Sequence, residues 1–190
     1  MTQNISFKST FRPATRLEFS KVASRISEKC FVDFPWTINE SVKAASAKTK
    51  MVFDCSMLGI TDGQEVFMLH LCPTIKENLD FNKIKDFILK KIEINNPNLQ
   101  AVLIGSQRIQ DNSSRLNNFL YNLTKEWNIP CSVFKTNKDP VNIAYFSETD
   151  EWIISSYEIE KSLLKNNLSS KNIFKKEFEN VQLSNLDEFA

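Results

Sequence analysis

The dipeptide Asp62-Gly63 sits between two apolar, strand-forming runs, Met51–Ile60 and Glu65–Leu71. Asp and Gly tolerate the positive φ angles of a type I′ turn, so this pattern predicts a tight β-hairpin. No other stretch of the chain constrains the fold as closely, because a hairpin's turn also sets which side chains face each other.

With Asp62 and Gly63 as the two turn residues, Thr61 faces Gln64 and Cys55 faces His70, the only histidine in the chain. Directly opposed residues have Cβ atoms roughly 5 Å apart. A thiol and an imidazole at that separation can serve as nucleophile and general base. Two other readings use the same residues. A buried Cys and a satisfied His can be ordinary core residues. Cys72 shares the strand face of His70, so Cys55, His70 and Cys72 could also be three ligands of a zinc site, although no fourth ligand stands out.

The 190 residues, 42% hydrophobic and 25% charged, suit one globular domain. Three glycines leave no room for a Gly-rich phosphate loop, and a net charge of +1 gives no reason to expect nucleic acid as a partner. No apolar run approaches the ~18 residues that span a bilayer. The N-terminus has no apolar signal-peptide core. The dispersed Cys30, Cys55, Cys72 and Cys131 are expected as reduced thiols of a cytoplasmic protein. A leaderless export route stays open.

Along the chain, residues 1–14 read as an extended arm and 15–29 as a helix with Leu17, Phe19, Val22 and Ile26 on one face. Phe31–Trp36 suggests a short strand. Thr37–Lys48 is ambiguous, with helical propensity over Asn39–Ala47. After the hairpin, Asp80 is a predicted N-cap for a helix carrying Phe81, Ile84, Phe87, Ile88 and Ile92. Leu99–Ile104 reads as a strand, and a second amphipathic helix carries Leu116, Phe119, Leu120, Leu123 and Trp127. Cys131–Phe134, Asn142–Phe146 and Trp152–Ser155 read as further strands, the last two joined by Ser147–Asp150. A helix around Ile159, Leu163 and Leu164 follows. The polar tail with Phe174, Phe178 and Phe189 is expected as a peripheral helix, with a recognition or export segment as the alternative. The expected fold class is α/β (α+β): a layered, mostly antiparallel sheet or sandwich flanked by helices.

Thr49, Cys55 and His70 form the pattern Thr-x5-Cys followed by His after a short hairpin. This resembles the catalytic set of the glutamine deamidases that include the chemoreceptor deamidase CheD and the cytotoxic necrotizing factor toxins. His70-Leu71-Cys72-Pro73 is similar to CheD's histidine opening a short apolar segment closed by proline. Ala101–Ser106 resembles its strand ending in Gly, Arg115–Phe134 its helix and x-Ile-Pro strand entry, and Asn142–Ser155 its closing hairpin. The likeness covers about residues 48–156. Phe53-Asp54 departs from the small Gly-Ser or Ser-Gly pair before the family's nucleophile, and Lys135–Pro140 replaces a Gly-rich segment. Strand alternation would turn Asp54 away from the thiol.

The resemblance implies a single CheD-like domain over 1–190: an N-terminal extension with a helix (1–47), a deamidase-like core (48–156) and a helical tail (157–190). It implies Cys55 as nucleophile, His70 as general base and Thr49 as the residue orienting the imidazole. Thr49 can reach His70 only if the chain bends sharply between 49 and 55. The implied partner is a protein carrying a target glutamine, which becomes glutamate through a thioester, with no cofactor and no metal. The extra termini favour a bacterial effector or toxin, secreted by a specialised system to serve in virulence, over a chemotaxis enzyme. The alternatives are a catalytically inactive binding module of the same fold, or another thiol acyl-transfer enzyme such as a transglutaminase.

Overall fold

Apolar residues fall on both sides of the strands at the centre of the chain, which predicts sheet faces buried on both sides. The computed structural model describes residues 8–32, 41–106, 111–136 and 139–166. In it, ten strands form two five-stranded sheets. The first sheet runs β1 (Thr10–Pro13), β10 (Glu151–Ser155), β9 (Val141–Phe146), β4 (Ser46–Val52), β2 (Phe31–Val32). The second runs β3 (Val42–Ala44), β6 (Val66–Leu71), β5 (Ser56–Thr61), β7 (Gln100–Ser106), β8 (Cys131–Thr136). Antiparallel pairs predominate. Three pairs are parallel: β1 with β10, β2 with β4, and β7 with β8.

The layers follow from alternation along each strand. Met57, Met68, Val102 and Ile104 of the second sheet meet Ala47, Ile143, Tyr145 and Trp152 of the first in one apolar interior. The opposite face of the second sheet, with Leu58, Ile60, Leu69 and Leu103, packs on helices α2 (Phe81–Leu89) and α3 (Asp111–Glu126). The outer face of the first sheet, with Ala144, Phe146 and Ile153, receives Phe19 and Ala23 of α1 (Arg16–Ala23). Helix α4 (Tyr157–Asn166) sends Ile159 into the inter-sheet layer. The fold is a mixed α/β sandwich of two sheets flanked by helices. Among the described residues no helix is long and apolar enough to cross a membrane.

Local chemistry explains the helix starts. Thr15 and Glu18 form a capping box at α1, and the Asp80 side chain accepts from Lys83 N–H at α2. Sequence and structure part at Asn39–Ala47. Where described, this stretch is strand rather than helix, because β3 pairs with β6 and β4 fills the gap between β9 and β2. Pairing with β6 and β9 outweighs helical propensity there. The expected strand at Phe31–Trp36 is described only as Phe31–Val32, and Phe174, Phe178 and Phe189 lie outside the described residues.

Between the two sheets, Gly59 of β5 lies under the fully buried Trp152 ring of β10. A Cβ at Gly59 would collide with Trp152 Cη2. Gly59→Ala should therefore lower stability by about 1–3 kcal/mol through overpacking. The same substitution in a Trp152→Phe background should lose most of that cost, which a double-mutant cycle of denaturant melts will read.

Candidate active site

The hairpin is present, but its turn is longer than the two-residue turn expected. Thr61 pairs with Val66, leaving a four-residue loop of 62–65. The reason is local. Asp62 Oδ1 accepts from the backbone N–H groups of Gln64 (2.9 Å) and Glu65 (3.1 Å), and Thr61 Oγ1 donates to Glu65 O at 2.8 Å. Such side-chain bonds stabilise an Asx-type turn in place of type I′. Within the loop only Gly63 takes a positive φ, 92°.

This register moves His70 opposite Met57 rather than Cys55. The shift is two residues, so Cys55 and His70 stay on the same face as diagonal neighbours. Diagonal neighbours are roughly 7–8 Å apart, farther than the facing pair expected from the sequence. One position beyond the last pair, Ser56 with Leu71, come Cys55 and Cys72, near enough for the Cys72 thiol to raise the Cys55 pKa.

Thr49 reaches His70 as the family resemblance requires. In β4, alternation sends Lys48 outward and Thr49 inward. Lys48 Nζ donates to Ala23 O (3.2 Å) and Ile26 O (3.1 Å) beneath α1 and pairs with Glu28 at 2.5 Å. The pairing of β4 with β9 then breaks between Thr49 and Val52, and Met51 adopts a left-handed φ of 58°. Met51 N–H donates to Asn142 Oδ1 at 3.1 Å, which holds the irregularity. There the chain leaves the first sheet, and it enters the second at Ser56. Thr49 Oγ1 lies 2.9 Å from His70 Nδ1 and 2.6 Å from Val32 O.

Those two distances assign the imidazole tautomer. A hydroxyl has one proton to give. The carbonyl of Val32 can only accept, so the Thr49 proton goes there and the Thr49 oxygen accepts from Nδ1–H. With Nδ1 as the donor, Nε2 is the ring nitrogen that a neutral His70 would offer as a base.

The segment before and after Cys55 is tied to neighbouring elements. Thr136 Oγ1 donates to Phe53 O (2.8 Å), Ser113 Oγ to Asp54 O (3.2 Å) and Ser56 Oγ to Asn117 Oδ1 (2.6 Å). Gly105 leaves space for Asn117, since a Cβ there would overlap its amide. Sequence reading missed these residues. The available clue was Ser113 and Asn117, four apart on α3 and flanking Leu116 on its apolar side.

The thiol itself is held protonated. Cys55 is 3% exposed, and its pKa is pushed up to about 12, first by burial, then by the Cys72 thiol and the charge of Asp54. Residues 53–55 form a bend rather than a strand, so alternation does not isolate Asp54 from the sulfur as the sequence suggested. Thr49 and His70 are completely buried. For the zinc alternative, no group of three His, Cys, Asp or Glu side chains among the described residues is placed to hold a metal ion.

Comparison with known proteins adds no assignment. No protein-family model matches the chain, and none of the curated proteins matches it.

Two measurements test this geometry. Thr49→Val keeps the shape of the side chain but deprives the buried Val32 carbonyl and the His70 N–H of their partner. It should cost about 1–3 kcal/mol in denaturant melts, and Thr49→Ser should recover most of that. Cys55 also makes stability pH-dependent. Its folded pKa is raised, so its contribution is complete below the ordinary value of 9.0 and is lost as pH climbs toward about 12. Unfolding free energy should fall by about 1.4 kcal/mol per pH unit within that window. Burial pushes the Cys131 thiol up to about 12 as well, so the whole limb is steeper than this and Cys55→Ala should remove only the Cys55 share of it.

Proposed function

We propose that the chain is a cysteine-dependent protein-glutamine deamidase of the CheD and cytotoxic necrotizing factor type, with Cys55, His70 and Thr49 as its catalytic set. The observation that carries this reading is the Thr49–His70 hydrogen bond of 2.9 Å, which joins the two sheets and leaves the proton-accepting nitrogen of the imidazole as Nε2. An orienting group of this kind is the third member of a nucleophile–base–orienter triad.

In this mechanism Nε2 takes the Cys55 proton as sulfur attacks the side-chain carboxamide carbon of a glutamine. The tetrahedral oxyanion collapses, His70 returns the proton to the departing ammonia, and a thioester remains. Water, deprotonated by the same nitrogen, then cleaves the thioester and leaves glutamate. The hydrogen bonds from Ser113 and Thr136 to the Asp54 and Phe53 carbonyls, and from Ser56 Oγ to Asn117 Oδ1, would hold the nucleophile's segment through both half-reactions. Because Cys55 is 3% exposed, the substrate must be admitted by a local opening that also brings sulfur nearer to the imidazole. The imidazolium formed there would lower the thiol pKa from its resting value. Protein targets, export and a role as an effector or toxin belong to this same proposal.

A second reading has its own support. A thiol with its pKa at about 12, beside Cys72 and Asp54, suits a binding module that keeps the fold without the chemistry. Incubating the full chain with bacterial or host lysate proteins separates the two. Deamidation predicts glutamine-to-glutamate conversions in peptide mass spectra that vanish with Cys55→Ala. Partners captured equally by both forms, with no conversion, would establish the binding module instead.

A further inference from the structure

The four cysteines are distributed over three separate layers. Cys30 packs against the layer under α1, and Cys131 against the layer between the second sheet and its helices. Only Cys55 and Cys72 share the inter-sheet interior. They flank the last paired rung of the β5–β6 hairpin, Ser56 with Leu71, and the Cys72 thiol is near enough to raise the pKa of Cys55. The Ser56–Leu71 rung that they flank has opposed Cα atoms about 4.5–5.5 Å apart, inside the window of about 4.4–6.8 Å that a disulfide accepts, and the 53–55 bend carries Cys55 directly off its end. A second contact orients Cys72, whose Sγ lies 3.0 Å from Thr74 Oγ1.

We propose that Cys55 and Cys72 are a redox pair: a peroxide converts them to a cross-strand disulfide, and small-molecule thiols restore them. The chemistry balances with hydrogen peroxide as oxidant. Peroxide oxidises one thiol to a sulfenic acid and releases water. The neighbouring thiol then attacks that sulfur, forming the S–S bond and releasing a second water. Peroxide is little larger than water, and at 3% and 5% exposure the pair meets it when the chain opens locally, where the Cys55 thiol also sheds the burial that holds it protonated. The four-residue loop at 62–65 determines this partnership. The two-residue turn expected from the sequence would have set Cys55 against His70 and Cys72 against Phe53.

The regulatory meaning rests on the deamidase reading. A sulfur held in a disulfide cannot attack a carboxamide, so oxidation would switch the enzyme off and a reducing compartment would switch it on. Formation of the bond does not depend on that reading.

The test uses the reduced full-length chain, treated with hydrogen peroxide in buffer and in urea, blocked with N-ethylmaleimide and digested without reduction. The expected product in buffer is a Cys55–Cys72 linked peptide that dithiothreitol removes and that Cys72→Ala lacks, with Cys30 and Cys131 alkylated. The proposal is overturned if both thiols of the folded chain stay alkylatable. It is equally overturned if Cys55 proceeds to sulfinic acid while Cys72 stays free, or if links to Cys30 or Cys131 form to the same extent. Glutamine conversion by the reduced chain is measured in parallel. A linked peptide without conversion sinks the deamidase and leaves the redox pair standing; conversion without the linked peptide does the reverse.

Discussion

The Thr49 hydroxyl ties the two sheets of this structure together. It donates to the Val32 carbonyl of β2 and accepts from His70 of β6, while its own backbone belongs to β4. Three strands from two sheets therefore converge on one oxygen, in an interior with no water-facing surface at Thr49 or His70. An imidazole placed among Met57, Met68 and Ile143 without such a partner would be costly to bury. The hydrogen bond offsets that cost, and it also decides which ring nitrogen keeps the proton. Structural and chemical roles coincide in this oxygen.

The sulfur is treated differently by the same interior. Burial holds the Cys55 thiol in its neutral form. A protonated thiol in this closed interior is a resting state. Transfer of the thiol proton to Nε2 would create two opposite charges in an apolar layer, stable only if they come together and are met by polar groups of a substrate. Within the proposed mechanism, the resting geometry would restrain the nucleophile until a target enters. The hydrogen bonds to residues 53, 54 and 56 from α3 and β8 would keep the backbone in place meanwhile.

Much of this architecture was legible in the sequence because its signals are local. The Asp80 cap, the apolar stripes of α2 and α3, and the strands at Ala101–Ile104, Asn142–Phe146 and Trp152–Ser155 all show in periodicity and turn residues. The resemblance to the deamidases pointed to Thr49 and to a bend before Cys55, and the left-handed Met51 supplies that bend. What escaped was non-local. Nothing between Asn39 and Ala47 announces that its backbone will be claimed by β6 and β9. Ser113, Asn117 and Thr136 read as unremarkable polar residues until their carbonyl and hydroxyl partners, 59, 61 and 83 positions away, come to meet them.

The hairpin loop shows how a small local preference sets chemistry at the far end of two strands. Asp62 had two ways to reverse the chain: adopt positive φ itself, or accept amide protons with its carboxylate. It takes the second, and the loop grows by two residues. Because side chains alternate with a period of two, that growth preserves every face and changes every partner. The core is indifferent to the change, since Met57, Cys55, His70 and Cys72 stay inward under either register. The sulfur is not indifferent. It exchanges an imidazole neighbour for a thiol, and so a carboxylate at the loop, several rungs from Cys55, selects between a facing catalytic pair and a facing dithiol.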